Sequence, residues 1–276
     1  MADATKRAVL VLGMHRSGTS ALTRIVNLMG FAAPRTLMAA TDANEAGFWE
    51  SEAFMLLNER IMKACGGKWT ARRAFSKDPL AVARAGGLYA EVRATLAAEY
   101  GDAPDIVLKD PRISRLMAIY RPLLEEAGYR ILPVLALRNP MEVAASLTKR
   151  DGFSTGKGLG IWLRYTLDAE AATRDMPRAV VGFEALMADW RGTMARAADG
   201  LGTPWPDLPP EAIAECDATL QPRLRHHVLP PPQRTSWRGF LAREAYEGML
   251  RLAANPHEAG AIRKLDRVSG LFSRPL

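Results

Sequence analysis

The sequence predicts a three-layer α/β domain in which helices flank a central parallel sheet. Short apolar runs alternate with longer helical patterns in the N-terminal part of the chain, which is typical of parallel strands joined by helical crossovers. The first run, 8–12, contains only apolar residues and ends at Gly13, as expected of a strand that is buried on both faces. Because no repeat or low-complexity linker divides the chain, we expect a single domain over residues 1–276.

The remaining elements follow from apolar runs and from helix start and stop signals. Strands are predicted at 8–12, 106–108, 131–137 and 179–183. Ser51 and Asp78 occupy helix N-cap positions, Pro140 begins a helix after Asn139, and Gly30 ends the first helix. The predicted helices span about 18–29, 51–64, 78–100, 114–127, 139–149, 159–173, 184–198, 237–253 and 258–268. From about residue 203 the sequence becomes rich in proline, which predicts a less regular C-terminal extension.

Composition restricts the possible partners. The excess of Lys and Arg gives a formal net charge of +7, which favours an anionic ligand. The two cysteines, Cys65 and Cys216, show no metal-ligand spacing, so we expect reduced thiols in a cytoplasmic protein. Basic and aromatic residues are not interleaved, which argues against nucleic-acid binding. The apolar run near the N-terminus is too short for a signal peptide or a membrane span, so we expect no integral membrane segment.

A glycine-bearing loop joins the first predicted strand to the first predicted helix. Gly13 and Gly18 let the backbone curl, so that successive N–H groups can point at one anion beside the positive end of the helix dipole. Arg16 adds a permanent cation. We therefore predict a phosphate-binding turn that comprises His15, Arg16, Ser17, Gly18, Thr19 and Ser20.

This loop differs from an ATP-binding P-loop at one position. It keeps the glycine spacing, but Thr19 stands where a lysine normally reaches the transferring phosphoryl group. The cation lies inside the loop instead, at Arg16. The loop thereby resembles the 5'-phosphosulfate loop of sulfotransferases that use 3'-phosphoadenosine-5'-phosphosulfate (PAPS), and is closest to the arginine-bearing loops of tyrosylprotein and some carbohydrate sulfotransferases. This resemblance implies a P-loop-like fold, PAPS as the co-substrate and no metal.

A second motif resembles the same family. The third predicted strand ends in Leu137-Arg138-Asn139-Pro140, and Ser146 lies eight residues after Arg138. In the family, an arginine at a strand end and a serine eight residues later hold the 3'-phosphate, so the resemblance assigns that role to Arg138 and Ser146. An arginine at the carboxyl end of a parallel strand points into the crevice where such sheets bind ligands, and its guanidinium can grip phosphate through two N–H groups.

Two cations are candidates for stabilising the leaving group. Sulfuryl transfer resembles phosphoryl transfer, in which catalysis is mainly positioning and charge stabilisation. Arg16 is the first candidate, and Lys109, at the end of the second predicted strand, is the second. Lys109-Asp110-Pro111 resembles an element of tyrosylprotein sulfotransferases whose lysine helps to stabilise the transition state. For Asp110 we expect a structural role, in which it pairs with Arg112 or with the phosphate loop.

The general base is left open among three residues. Glu50 is favoured, because the neighbouring Phe48 and Trp49 can dock an acceptor and exclude water, which would raise the pKa of a carboxyl group. Glu45 is the second candidate. His15, inside the phosphate loop, is the third.

A late basic loop is also implied by the resemblance. In the family such a loop closes over the nucleotide and adds cations to the 3'-phosphate. Arg223, Arg225 and Arg234 are candidates for that role, and no motif selects one of them. His226 and His227 lie in the same basic cluster.

The predicted function is transfer of a sulfuryl group from PAPS to a hydroxyl or amine, with release of adenosine 3',5'-bisphosphate (PAP). The acceptor remains open among a small molecule, a carbohydrate, a lipid headgroup and a peptide. Two alternatives compete with this function. An ATP-dependent P-loop kinase or NTPase would bind ATP and magnesium, whereas a non-catalytic nucleotide-binding protein of the same fold would bind PAPS without turnover.

Overall fold

A parallel sheet forms the centre of the computed structural model, which describes residues 6–39, 47–220 and 228–274. In the described residues the sheet has four strands, β1 (Lys6–Leu12), β2 (Asp105–Lys109), β3 (Tyr129–Leu137) and β4 (Ala179–Gly182), in the spatial order β2-β1-β3-β4. All neighbouring strands are parallel. Their carboxyl ends therefore lie along one edge of the sheet, as the sequence predicts.

Helices cover both faces of this sheet. Residues 8–12 of β1 are completely buried, and alternate side chains belong to two separate hydrophobic clusters, with Leu10 in one and Val9 in the other. The helices are α1 (Thr19–Leu28), α2 (Glu52–Ala64), α3 (Pro79–Ala85), α4 (Leu88–Tyr100), α5 (Ile113–Glu126), α6 (Pro140–Asp151), α7 (Thr155–Ala171), α8 (Phe183–Ala188), α9 (Trp190–Leu201), α10 (Pro210–Thr219), α11 (Trp237–Ala254) and α12 (Ala259–Phe272). The predicted three-layer α/β architecture is confirmed.

Three predicted helix starts are confirmed by their capping bonds. Ser51 Oγ accepts a hydrogen bond from Phe54 N at 3.2 Å, and the Asp78 carboxylate accepts one from Ala81 N at 2.7 Å. Asn139 accepts one from Met141 N at 3.0 Å, and Pro140 follows as the first helical residue. Within the residues that the structure describes, no helix is long and apolar enough to cross a membrane.

The number of helices differs from the prediction at three places. The helix predicted over 78–100 is two helices, because Gly87 adopts a left-handed conformation with φ of 73°. The helix predicted over 184–198 is also two, because Asp189 is extended and caps α9 through Gly192 N. Helix α10 was not predicted; it begins at Pro210 in the proline-rich region and buries Cys216 against the sheet cluster that contains Val9.

Candidate active site

The predicted phosphate loop connects β1 to α1 and is tightly constrained. Gly13 has a φ of 137°, and a Cβ there would lie 2.7 Å from the carbonyl oxygen of Ala136 in β3. The Gly13 N–H donates to Ser114 Oγ at 2.9 Å. Arg16 itself adopts a positive φ of 69°. The buried hydroxyl of Ser17 has no hydrogen-bond partner among the described residues, so a donor remains available inside the turn.

The two predicted phosphate motifs meet in space. Arg16 Nε donates a 2.8 Å hydrogen bond to Ser146 Oγ, and Arg138 Nη1 donates to the carbonyl oxygen of Arg16 at 3.3 Å. The loop after β1 and the strand-to-helix turn after β3 therefore form one continuous polar surface at the carboxyl edge of the sheet. One ligand with two anionic groups can contact both motifs.

Phe183 packs against residues of both predicted phosphate motifs, and the sequence analysis did not identify it. A Cβ at Gly18, whose φ is 82°, would lie 2.3 Å from Phe183 Cδ2. The Arg138 guanidinium lies over the same ring, with Cζ 4.5 Å from its centroid. Phe183 follows β4 directly, and this position at the carboxyl end of a parallel strand was a signal that could have revealed it.

Glu142 orients Arg138 and was also missed. Arg138 Nε donates to Glu142 Oε2 at 2.9 Å, and the Glu142 side chain is completely buried. Its other oxygen accepts a bond from Leu229 N at 3.3 Å, and Asn139 Nδ2 donates to the Leu229 carbonyl at 2.5 Å. The C-terminal extension therefore docks on the second motif at Leu229. The spacing of Glu142 four residues after Arg138 was a signal for this pair.

Of the residues predicted to form the late basic loop, the structure describes Arg234. Arg223, Arg225, His226 and His227 lie outside the described residues. Arg234 pairs with Glu244 in α11 at 2.6 Å, and its guanidinium lies 6.0 Å from the Phe240 ring centroid.

Lys109 and Glu50, the predicted cation and base, form a buried ion pair. Lys109 Nζ lies 2.5 Å from Glu50 Oε1, and the two side chains are only 2% and 5% exposed. Nζ also donates to the Phe48 carbonyl at 2.7 Å and to Ser20 Oγ at 3.3 Å. Burial raises the pKa of Glu50, and the positive charge and hydrogen bond of Lys109 oppose that rise. Lys109 thus joins the predicted phosphate loop, through Ser20, to the segment that carries Glu50.

Asp110 is held by hydrogen bonds on both of its oxygens. Oδ2 accepts from Asn58 Nδ2 at 2.9 Å, and Oδ1 accepts from the backbone N–H and from Nη1 of Arg112, each at 2.9 Å. The predicted pairing with Arg112 is therefore present. No group of three or more His, Cys, Asp and Glu residues is arranged to hold a metal ion in residues 6–39, 47–220 and 228–274.

His15 is enclosed by aromatic rings. Its ring centroid lies 5.1 Å from that of Trp69 and 6.0 Å from that of Tyr165. Nε2 is buried, with no hydrogen-bond partner in the part of the chain described. Burial lowers the pKa of His15 well below its usual value, and the charges of nearby basic residues, Arg112 first among them, lower it further. His15 is therefore neutral near pH 7, and the same burial and positive charges that lower its pKa oppose its taking up a proton.

The structure describes Phe48 and Trp49, the two aromatic residues predicted to dock the acceptor beside Glu50. Trp49 adopts a positive φ of 57°, and the Arg24 guanidinium lies 4.6 Å from its ring. Phe48 contacts the site through its carbonyl, which accepts bonds from Ser20 and Lys109. Glu45 lies outside the described residues.

Comparison with solved structures identifies the fold. Neither a model of a protein family nor a curated protein matches this sequence. The sulfotransferase domain of the Synechococcus PCC 7002 olefin synthase superposes on the chain with a TM-score of 0.50 and 16% sequence identity, over 90% of this chain and 97% of that one. The chain has a sulfotransferase-like fold.

Two further solved structures overlap less well with this sulfotransferase-like fold. The sulfotransferase domain from the curacin biosynthetic pathway has a TM-score of 0.41 and 13% identity, over 99% of this chain and 100% of that one. Retinol dehydratase, crystallised with androsterone and the inactive cofactor PAP, has a TM-score of 0.37 and 14% identity, over 96% and 80% of the two chains.

Proposed function

We propose that the protein is a PAPS-dependent sulfotransferase that transfers a sulfuryl group to a hydroxyl or amine and releases PAP. One observation carries the proposal: the contact of Arg16 with Ser146 brings the predicted 5'-phosphosulfate loop and the predicted 3'-phosphate motif into one surface. PAPS carries negative charge at both of these ends. A sulfotransferase-like fold with both motifs adjacent is what this donor requires.

The proposed donor contacts divide between the two motifs. The backbone N–H groups of the turn 15–20, apart from that of Ser17, which donates to the Met14 carbonyl, bind the 5'-phosphosulfate at the N-terminus of α1 together with Arg16 and the Ser17 hydroxyl. Arg138 and Ser146 bind the 3'-phosphate. Because Glu142 holds Arg138 Nε, the guanidinium is oriented before the ligand arrives, which reduces the entropy lost on binding.

The proposed chemistry uses Glu50, Lys109 and Arg16. The acceptor oxygen or nitrogen forms a bond to sulfur while the bond from sulfur to the 5'-phosphate oxygen breaks, and that oxygen keeps the electron pair. Lys109 and Arg16 stabilise the negative charge that develops there. Glu50 takes the acceptor's proton. The raised pKa of Glu50 makes it a better base than an exposed carboxylate once it has ionised.

Calorimetry with PAP and with ATP plus magnesium tests the donor class. We expect PAP to bind tightly and ATP with magnesium to bind weakly or not at all. Tight ATP binding without PAP binding would overturn the proposal in favour of a kinase or NTPase. The engagement of both Asp110 oxygens by Asn58 and Arg112 also speaks against that alternative, since a magnesium site there would have to break those bonds.

A screen with radiolabelled PAPS tests turnover and identifies the acceptor. It should include phenols, amino sugars, hydroxylated lipids and tyrosine peptides. PAPS binding without transfer to any class would favour the non-catalytic alternative.

We further propose that residues 1–276 form one domain and that the protein is cytoplasmic, where the buried free thiols of Cys65 and Cys216 would remain reduced.

A further inference from the structure

Glu99, near the end of α4, is a buried carboxylate that accepts hydrogen bonds from two segments of the chain, 36–38 and 50–52. The second of these segments carries the candidate base, Glu50. Its Oε2 accepts a hydrogen bond from Thr36 N at 2.9 Å, and its Oε1 accepts from the hydroxyls of Thr36 and Ser51, the latter at 2.8 Å. The residue is only 3% exposed, and no ion pair joins it to a basic side chain in the described residues. A carboxylate buried among neutral donors is costly unless its hydrogen bonds are well made, so these bonds indicate a specific role.

The two segments that Glu99 binds are those that hold the backbone of Glu50. Met38 N donates to the Glu50 carbonyl at 2.8 Å, and Glu52 N donates to the Thr36 carbonyl at 3.2 Å. Between these bonds, Leu37 and Ser51 form an antiparallel bridge. Segment 36–38 is therefore paired with segment 50–52, and Glu50 lies at one end of that pairing.

Glu99 closes this arrangement from the side of α4. Through Thr36 it binds the first segment, and through Ser51 it binds the second, one residue from Glu50. Ser51 also caps α2 through Phe54 N, which fixes the start of that helix relative to the pair. Burial opposes ionisation of Glu99, but its bonds from Thr36 and Ser51 lower the pKa below the usual value, so it is ionised at neutral pH.

We infer that Glu99 is a positioning residue, which fixes the backbone around Glu50 and thereby holds Glu50 Oε1 against Lys109 Nζ. The inference rests on the proposed function for the role of Glu50 as the base. Glu99 acts through geometry and makes no contact with the ion pair itself. Loss of its bonds allows segments 36–38 and 50–52 to shift, and the 2.5 Å contact with Lys109 lengthens.

The titration of Glu50 distinguishes positioning from other roles. Lys109 and Arg112 face Glu50 and favour its ionised form, whereas Asp110 disfavours it. If Glu99 positions Glu50, the Glu99→Gln variant loses much of the Lys109 contact, and the titration midpoint of Glu50 rises. If Glu99 acted only by its charge, removal of that charge would lower the midpoint. A role in stability alone would leave the midpoint unchanged.

The measurement is a carbon-13 NMR titration of protein labelled at the glutamate side-chain carboxyls, with the Glu50→Gln variant to identify the signal. We expect Glu99→Gln to raise the Glu50 midpoint by about one pH unit, the size of shift that an opposite charge at close range produces. Ser51→Ala keeps the charge of Glu99 but removes one of its links, and should shift the midpoint in the same direction by less. If Glu99→Gln fails to fold, the shift of the Glu50 midpoint in Ser51→Ala tests the inference instead.

Glu170→Gln is the matched control. Glu170 is also a completely buried carboxylate, but it is held by Arg178 and Arg174, away from the ion pair. The Glu170→Gln variant should have a lower thermal midpoint of unfolding but an unchanged titration midpoint of Glu50. An unchanged or lowered Glu50 midpoint in folded Glu99→Gln would overturn the inference. Failure of PAP to bind in calorimetry would instead contradict the proposed function and leave the titration result valid.

Discussion

Arg16 Nε lies 2.8 Å from Ser146 Oγ, although the two residues are 130 positions apart in the chain. Each belongs to a different predicted phosphate motif, and their contact brings those motifs to one edge of the sheet. In the proposed complex, phosphate oxygens of the nucleotide replace this contact. The guanidinium then binds the 5' side, and the hydroxyl donates to the 3'-phosphate.

The Arg138→Ala variant should bind PAP more weakly by about 2 kcal/mol or more, because it removes a charge-assisted hydrogen bond to the 3'-phosphate. Isothermal titration calorimetry gives the affinity directly. Since the change also leaves Glu142 buried without its arginine, the thermal midpoint of unfolding must be measured in parallel. Arg121→Ala, at an exposed ion pair with Asp175, is the control and should bind PAP normally. Equal PAP affinity in both variants would contradict the 3'-phosphate assignment.

The Glu50→Gln variant should lose transfer activity while its PAP affinity remains nearly unchanged. The amide keeps the size of the side chain and can accept a bond from Lys109, but it cannot take the acceptor's proton. Turnover of radiolabelled PAPS with an acceptor from the screen measures the loss. If the variant kept full activity, the base would have to be Glu45 or His15.

The Lys109→Met variant should reduce turnover far more than it reduces PAP binding, because the lysine acts on charge that develops during transfer. It should also change the pH dependence. Lys109 lowers the pKa of Glu50, so its removal raises that pKa further, and Glu50 ionises only at higher pH. The acidic limb of the pH–turnover profile should therefore move upward by about one pH unit or more. A loss of PAP affinity with an unmoved acidic limb would reassign Lys109 to donor binding.

The Gly18→Ala variant should weaken PAP binding and lower the thermal midpoint of unfolding. The new methyl group would meet the Phe183 ring at 2.3 Å, and alanine is disfavoured at a φ of 82°. Gly30→Ala is the matched control, because Gly30 has a φ of 94° with nothing within 4 Å of the added carbon. It should incur only the backbone cost of a positive φ, about 1–2 kcal/mol, and bind PAP normally. Identical behaviour of the two variants would show that Phe183 does not support the loop.

Several features of the site could be predicted because they depend on short stretches of chain. The apolar run 8–12 predicted β1, and the end of each parallel strand predicted that Arg16, Lys109 and Arg138 approach one edge. Parallel strands have their carboxyl ends on the same side, so no further structural information was needed for that conclusion. The pairing of Lys109 with Glu50 was not predicted, since it depends on how the segment before α2 packs on β2.

The positions at which two predicted helices break also depend on tertiary packing and were not predicted from the sequence. The helix predicted over 78–100 contains Gly86 and Gly87, and glycine disfavours a helix interior, but the sequence alone did not decide whether the chain would turn there. The break at Asp189 and the formation of α10 depend on burial of Trp190 and Cys216 in the same cluster. Tertiary burial of this kind overrides local propensity, because it contributes more free energy than a single helix preference.

The sequence by itself determined the α/β class and the order of the four strands, and it predicted the residues of the two proposed phosphate motifs, since each is encoded in periodicity or in a short motif. Only the tertiary structure decided which of these residues touch. Arg16 meets Ser146, Phe183 packs against Gly18, and Glu99 holds the segments around Glu50 through contacts between distant parts of the chain. Such contacts arise when helices and loops pack on the sheet, and packing depends on shape and burial summed over many residues rather than on any local pattern.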